Sequence, residues 1–187
     1  MTNLDGKWMV FLTLFAVPLG PMAVDLYTPS LPAIQQAFHV SQASVQWSVT
    51  AFLLSYSFGQ LFYGALSDTL GRKWLSCFGL IFFISGCLLS IISPGITLLL
   101  VARFLQGLGI SAVSVLSKTI AGDCFHGDKL RQVSAGITLL WGFSPVIAPA
   151  LGGFLQQYFG WQACFWVMAG YGMILLILSL IHISEPT

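Results

Sequence analysis

GALSDTLGRK, residues 64–73, is a short polar stretch between two long apolar runs. It holds two of the chain's seven Lys/Arg, Arg72 and Lys73, and one of its six Asp/Glu, Asp68. Glycines bracket the carboxylate: Gly64 lets helices approach closely, and Gly71 permits a tight reversal. On the residues alone this is a charged turn joining two membrane helices.

The flanking sequence supports that reading. The chain has 187 residues, 57% hydrophobic and 7% charged, where a soluble domain carries about a quarter charged residues. Too little charge is present to solvate a surface, so an integral membrane protein is expected. A net charge of +1 leaves no basic footprint for nucleic acid. Cys77, Cys87, Cys124 and Cys164 form neither a C-x-x-C pair nor a metal-ligand spacing and read as packing residues. No metal and no cofactor is expected.

Six apolar stretches approach the roughly 20 residues that a spanning helix needs: 8–28, 43–66, 74–92, 97–120, 133–156 and 161 to the end. Helices satisfy their own backbone in lipid, so the fold class predicted is all-α, a polytopic membrane protein of six transmembrane helices. The first run outlasts the apolar core of a signal peptide, and no A-x-A site closes it. Lys7, Arg72, Lys73, Lys129 and Arg131 fall in the N-terminal tail, the second loop or the fourth loop, and the other loops carry no Lys or Arg. The positive-inside rule then places the N-terminus in the cytoplasm.

Polar residues inside the runs mark the candidate site. Pro18 and Pro21 can kink the first helix. Asp25 lies one or two turns inside its outer end, where an ionisable group costs about 2.5–3.5 kcal/mol on insertion scales. It either faces a cavity or partner, or is hydrated at the interface. Gln46, Thr50, Ser57, Gln60 and Gly64 share a narrow arc of the second helix. That stripe fits helix–helix hydrogen bonding or a substrate cavity equally well. The third helix, with no ionisable group after Trp74, reads as lipid-facing scaffold.

On the fourth helix Arg103, Gly107, Ser111, Ser114 and Lys118 fall within about 80° of arc. Arg103 lies roughly 9 Å below the outer end, a depth similar to that of Asp25, which predicts an Asp25–Arg103 ion pair in the bundle interior. Lys118 is expected to snorkel to the inner surface. GDCFHGDKLR, residues 122–131, reads as a solvated turn with His126 exposed. In SPVIAPALGG, residues 144–153, Pro145 and Pro149 remove backbone donors, and Gly152 and Gly153 permit close contact.

Several of these stretches share one resemblance. Gly64, Leu66, Asp68, Gly71, Arg72 and Lys73 match the G-x-L-x-D-x-x-G-R-K loop signature of the major facilitator superfamily. Asp25, Tyr27, Pro29 and Pro32 resemble the first helix of its drug/proton antiporters of the bicyclomycin and chloramphenicol resistance type. Arg103, Gln106, Gly107 and Gly109 resemble its fourth-helix motif. Residues 144–153 resemble its antiporter motif, departing at Ala148, where the pattern has Gly. GWQACFWVMAG, residues 160–170, is also similar.

The resemblance implies the N-terminal half of a twelve-helix transporter, built as two inverted three-helix repeats, with the C-terminal six-helix half missing. It implies transport of a small-molecule substrate driven by protons across a bacterial inner membrane. Asp25 and Arg103 would couple protons, and Gly64, Asp68, Gly71, Arg72 and Lys73 would form a cytoplasmic gate. Gln46, Thr50, Ser57, Gln60, Gln106, Gly107, Ser111 and Ser114 would line the cavity. The tail LSLIHISEPT, residues 178–187, resembles a translated sequencing adapter, which limits the native domain to residues 1–177.

Two other readings stand beside this one. A six-span protein without transport activity is favoured only by the short length. GISA, residues 109–112, faintly resembles a rhomboid protease, with Ser111 as nucleophile and His182 as base. Ala112 replaces the required glycine, and the two residues sit at different depths.

Overall fold

The computed structural model describes residues 11, 14–70 and 72–182; the side chains of residues 67–70, 72, 73, 120, 123, 124, 181 and 182 lie outside that description. Every regular element among the described residues is helical. The order is α1 (Leu19–Asp25), a 3-10 helix (Thr28–Ser30), α2 (Leu31–Phe38), α3 (Gln42–Leu70), α4 (Arg72–Ile91), α5 (Ile96–Cys124), α6 (Gly127–Phe159) and α7 (Gln162–His182). Among the described residues, five helices are long and apolar enough to cross a membrane: Gln42–Leu66, Trp74–Ile91, Ile96–Thr119, Gly127–Phe159 and Gln162–Leu180.

The expected first span, 8–28, is not one straight helix. Residues 14–16 are helical, a turn follows at 17–18, and α1 starts after Pro18. It stops at Asp25, and the chain continues through the 3-10 helix and α2 to Phe38. Prolines set these breaks. Pro29 and Pro32 sit in the first turn of the 3-10 helix and of α2, where the missing N–H would have had no partner. His39, at φ 52°, ends α2 in the left-handed region and bonds the carbonyls of Gln35 and Gln36.

The polar connections are shorter than expected. α3 stays helical through Leu70 and α4 opens at Arg72, so most of the stretch 64–73 is helix rather than loop. Ala65, Leu66 and Leu70 are good helix formers and carry the helix past the apolar run. Gly71 and the side chains of Asp68, Arg72 and Lys73 lie outside the described residues. The turn at 122–131 reduces to Phe125 and His126, and His126 is exposed. At the other end α7 crosses residue 177 as a continuous helix, with Ser179 buried against Ser76 and Cys77.

α5 is the centre of the bundle, with α3 on one side and α4 on the other. Its Gly107 and Gly109 are two residues apart and so face nearly opposite ways. A Cβ at Gly107 would overlap the Phe52 carbonyl and the Ser55 hydroxyl on α3. At Gly109 it would overlap the Gly79 carbonyl and the Phe83 amide on α4. Apolar surfaces gain nothing by leaving lipid for each other, so close approach of this kind is what associates membrane helices.

The third helix is therefore not lipid-facing scaffold. α4 is wedged between α5 and α7, with Leu75, Cys77, Leu80, Phe83 and Cys87 buried. Its Gly79 and Gly86 admit Ala112 and Ala102 of α5. Cys77, Cys87 and Cys164 are buried free thiols. α6 is attached differently. It rests on α1 and the 3-10 helix more than on α5, and a Cβ at Gly152 would overlap the Leu26 carbonyl.

Replacing Gly109 by valine forces α4 and α5 apart and should destabilise the full-length protein by about 1–3 kcal/mol. Gly170→Ala, where a Cβ meets nothing within 4 Å, should leave stability unchanged. Thermal unfolding in detergent compares the two.

Candidate functional site

Arg103 is wholly buried on α5. Its guanidinium carbon lies 4.5 Å from the centre of the Tyr27 ring and 4.3 Å from that of Phe52. Tyr27 comes from the turn between α1 and the 3-10 helix, and Phe52 from α3. A desolvated cation over an aromatic face gains about 2 kcal/mol or more, so two faces stabilise the buried charge substantially.

Hydrogen bonds fix the guanidinium from one side only. Arg103 Nη1 donates to Gln106 Oε1 at 2.6 Å. Gln106, three residues on, shares that helix face. Its Nε2 donates to Ser90 Oγ at 3.0 Å, and Ser90 Oγ donates to the Gly86 carbonyl at 2.9 Å. Among the described residues, Arg103 Nε and Nη2 have no hydrogen-bond partner. The Tyr27 ring is held by a 2.7 Å bond between its hydroxyl and Ser48 Oγ.

The expected Asp25–Arg103 ion pair is not formed. Asp25 ends α1, half-buried, and Ser144 Oγ of α6 donates to its Oδ2 at 3.4 Å. The reason is angular. Tyr27 follows Asp25 by two residues through helical backbone, a rotation of about 200°. With the Tyr27 ring on Arg103, the carboxylate turns away toward α6.

The second-helix stripe looks out of the bundle. Gln46, Ser57 and Gly64 are exposed, and Thr50 and Gln60 are half-buried. The opposite face of α3, through Val45, Ser48, Phe52, Ser55 and Gly59, is the one buried against its neighbours. Thr50 and Gln60 make hydrogen bonds within α3.

The α5 residues expected to line a cavity are instead packed. Gly107 meets α3, and Ser111 fills the space beside Gly59 while donating to the Leu108 carbonyl at 2.6 Å. Ser114 bonds the Tyr56 hydroxyl at 2.8 Å, close to Gly20 of α1. Gln106 is engaged by Arg103. Small side chains on this face close the helix interface rather than leave an opening. Lys118, one turn further, is exposed.

Pro145 is exposed and Pro149 half-buried, both inside an unbroken α6. Gly152 makes the expected close contact, but a Cβ at Gly153 would meet nothing within 4 Å. Ser111 is buried with its hydroxyl bonded to backbone, and the side chain of His182 lies outside the described residues.

Sequence reasoning named Tyr27 only as part of a motif, with no role, and missed Phe52, Tyr56, Ser48 and Ser90. Aromatic residues within apolar runs carry no hydropathy signal. Ser90 could have been found, because Ser76, Gly79, Phe83, Gly86 and Ser90 repeat at intervals of three and four along one face.

Five long apolar helices, a broken entry segment and ionisable groups held among them define a polytopic helical membrane protein of the transporter type. The chain belongs to the Major Facilitator Superfamily, whose family model matches residues 11–187. It is 35% identical over 186 residues to an uncharacterized MFS-type transporter, YdgK, of Bacillus subtilis, covering 98% of this chain and 46% of that protein. It is 35% identical to a bicyclomycin resistance protein homolog of Haemophilus influenzae, covering 89% of this chain and 42% of the relative. Against multidrug resistance protein D of Escherichia coli the identity is 29%, covering 84% of this chain and 40% of the relative. The chain thus spans less than half the length of these relatives, the extent of one six-helix half.

Gln106→Leu removes the only hydrogen-bond acceptor Arg103 has among the described residues and should cost about 1.5–3 kcal/mol, as expected for a bond to a charged group. Ser90→Ala, which removes only the next link, should cost less. Chemical or thermal unfolding of the full-length variants ranks them.

Proposed function

We propose that the full-length protein exports small drug-like molecules in exchange for protons, alternating this half against a second six-helix half about a central cavity. The observation that carries the reading is Asp25, a half-buried carboxyl at a helix break, in a bundle that also buries an arginine with no acid beside it among the described side chains. The names of two relatives, bicyclomycin resistance protein homolog and multidrug resistance protein D, support the substrate class.

The chemistry is that of a carboxyl whose surroundings change. Loss of water favours the protonated form of such a group, and an approaching cation favours the ionised form. As the halves rock, Asp25 exchanges Ser144 and water for Arg103 and takes up or releases its proton accordingly. The outward stripe Gln46, Thr50, Ser57 and Gln60, bordered by apolar Leu53 and Leu54, gives an amphipathic substrate both polar and apolar contacts. Asp68 and Arg72, with Gly64, Gly71 and Lys73, form a latch at the cytoplasmic side against the second half. The membrane is the bacterial inner membrane, with the N-terminus in the cytoplasm.

Efflux of bicyclomycin, chloramphenicol and ethidium by the full-length protein tests this directly. Asp25→Asn should abolish efflux driven by a proton gradient, and undiminished gradient-driven efflux refutes the coupling role. Orientation has its own test. A His126→Cys protein, with Cys124 changed to serine, should react with an impermeant maleimide in inverted vesicles and not in intact cells; the reverse pattern overturns the topology.

A further inference from the structure

We infer that Tyr27 and Phe52 are positioning residues for the coupling step: they hold Arg103 between two aromatic faces while Asp25 is elsewhere, and Tyr27 gives up its face when Asp25 takes the guanidinium. The inference rests on the coupling role proposed above for Asp25. It adds a competitor for Arg103 on the same broken segment as the acid.

The geometry supplies the competition. Arg103 is fixed to α5 by its backbone and by Gln106, and α5 is clamped on both sides by glycine contacts. The arginine therefore stays in place and its partners change. Nε and Nη2 are free to receive a carboxylate. Asp25 and Tyr27 lie two residues apart, on nearly opposite sides of one short helical path. A rotation that brings Asp25 round to Arg103 carries the Tyr27 ring off it, and the return rotation restores the ring. Phe52, on α3, stays beneath the guanidinium in both positions.

The surroundings leave few other candidates. The titratable groups facing Arg103 are Tyr27 and Cys87 of α4, and Cys164 of α7 lies near Tyr27. Asp25 is faced by Ser144 of α6. Among the described side chains no other acid approaches the guanidinium. A neutral aromatic clamp differs from a carboxyl group in one useful respect: it holds the cation without having to give up a proton.

The test uses the full-length protein in proteoliposomes, with whichever of bicyclomycin, chloramphenicol and ethidium it exports fastest. Two rates are compared at equal protein level: efflux driven by an imposed proton gradient, and substrate exchange without a gradient. Tyr27→Leu should lower the gradient-driven rate by about thirtyfold, the scale of one lost desolvated cation–aromatic contact, and leave gradient-free exchange within about twofold. Tyr27→Phe, which keeps the ring and loses the hydroxyl, should restore the driven rate. Phe52→Leu and Phe52→Tyr should repeat the pattern from the α3 side, and they decide the matter if Tyr27→Leu fails to accumulate. A driven rate unchanged in the leucine variants overturns the inference, as does Tyr27→Phe losing as much as Tyr27→Leu. These outcomes leave the coupling role of Asp25 standing, whereas gradient-driven efflux that survives Asp25→Asn removes both.

Discussion

Lipid rewards no contact between apolar side chains, so a helical membrane bundle must gain cohesion from how near its backbones can come. In this chain that constraint is met at α5. Gly107 and Gly109 point to opposite neighbours, and each accepts backbone atoms where any side chain would stand. α3 and α4 are thereby locked to one rod, and α7 is added through α4. The position of every functional group on α5 follows from this. Arg103 is carried on the most tightly held helix of the bundle, which is why its charge can be kept at a fixed depth.

The way that charge is kept is the second result. A buried cation commonly has a carboxylate partner, since an uncompensated charge in a low-dielectric interior is costly. Here the partner is two π faces and a glutamine, and two guanidinium nitrogens remain unbonded. Among the described residues the site therefore has unspent hydrogen-bonding capacity, in a protein core where hydroxyls such as those of Ser90, Ser111 and Ser117 bond backbone carbonyls of their own helix.

Much of this was legible in the sequence. The apolar runs located three of the five described spans to within a residue at both ends and the start of a fourth, while α6 begins earlier and ends later than its run, because hydropathy averages over about twenty residues and ignores helical extensions into polar stretches. The prolines at 18, 29 and 32 announced a broken first segment, but the expectation of a single span smoothed over them. Asp25 and Arg103 were picked out because charge is rare in lipid. Their separation was not foreseen, since depth along two helices says nothing about rotation around them. The small residues of α4 were read by polarity rather than by size, and so a packed helix was taken for a peripheral one. On α5, Gly107 and Ser111, read as cavity-lining, pack against α3: small residues on one face signal proximity of another helix as readily as they signal water.

The contact between Gly152 and the Leu26 carbonyl has a mechanical meaning. Leu26 is the residue next to Asp25, at the seam where regular helix gives way. No side chain lies between the two backbones at that point to cushion a displacement. α6 leans on this seam more than on the locked rods, so it works like a tiller: tilting its long proline-bearing shaft by a few degrees would steer the acid first and the remainder of the bundle hardly at all.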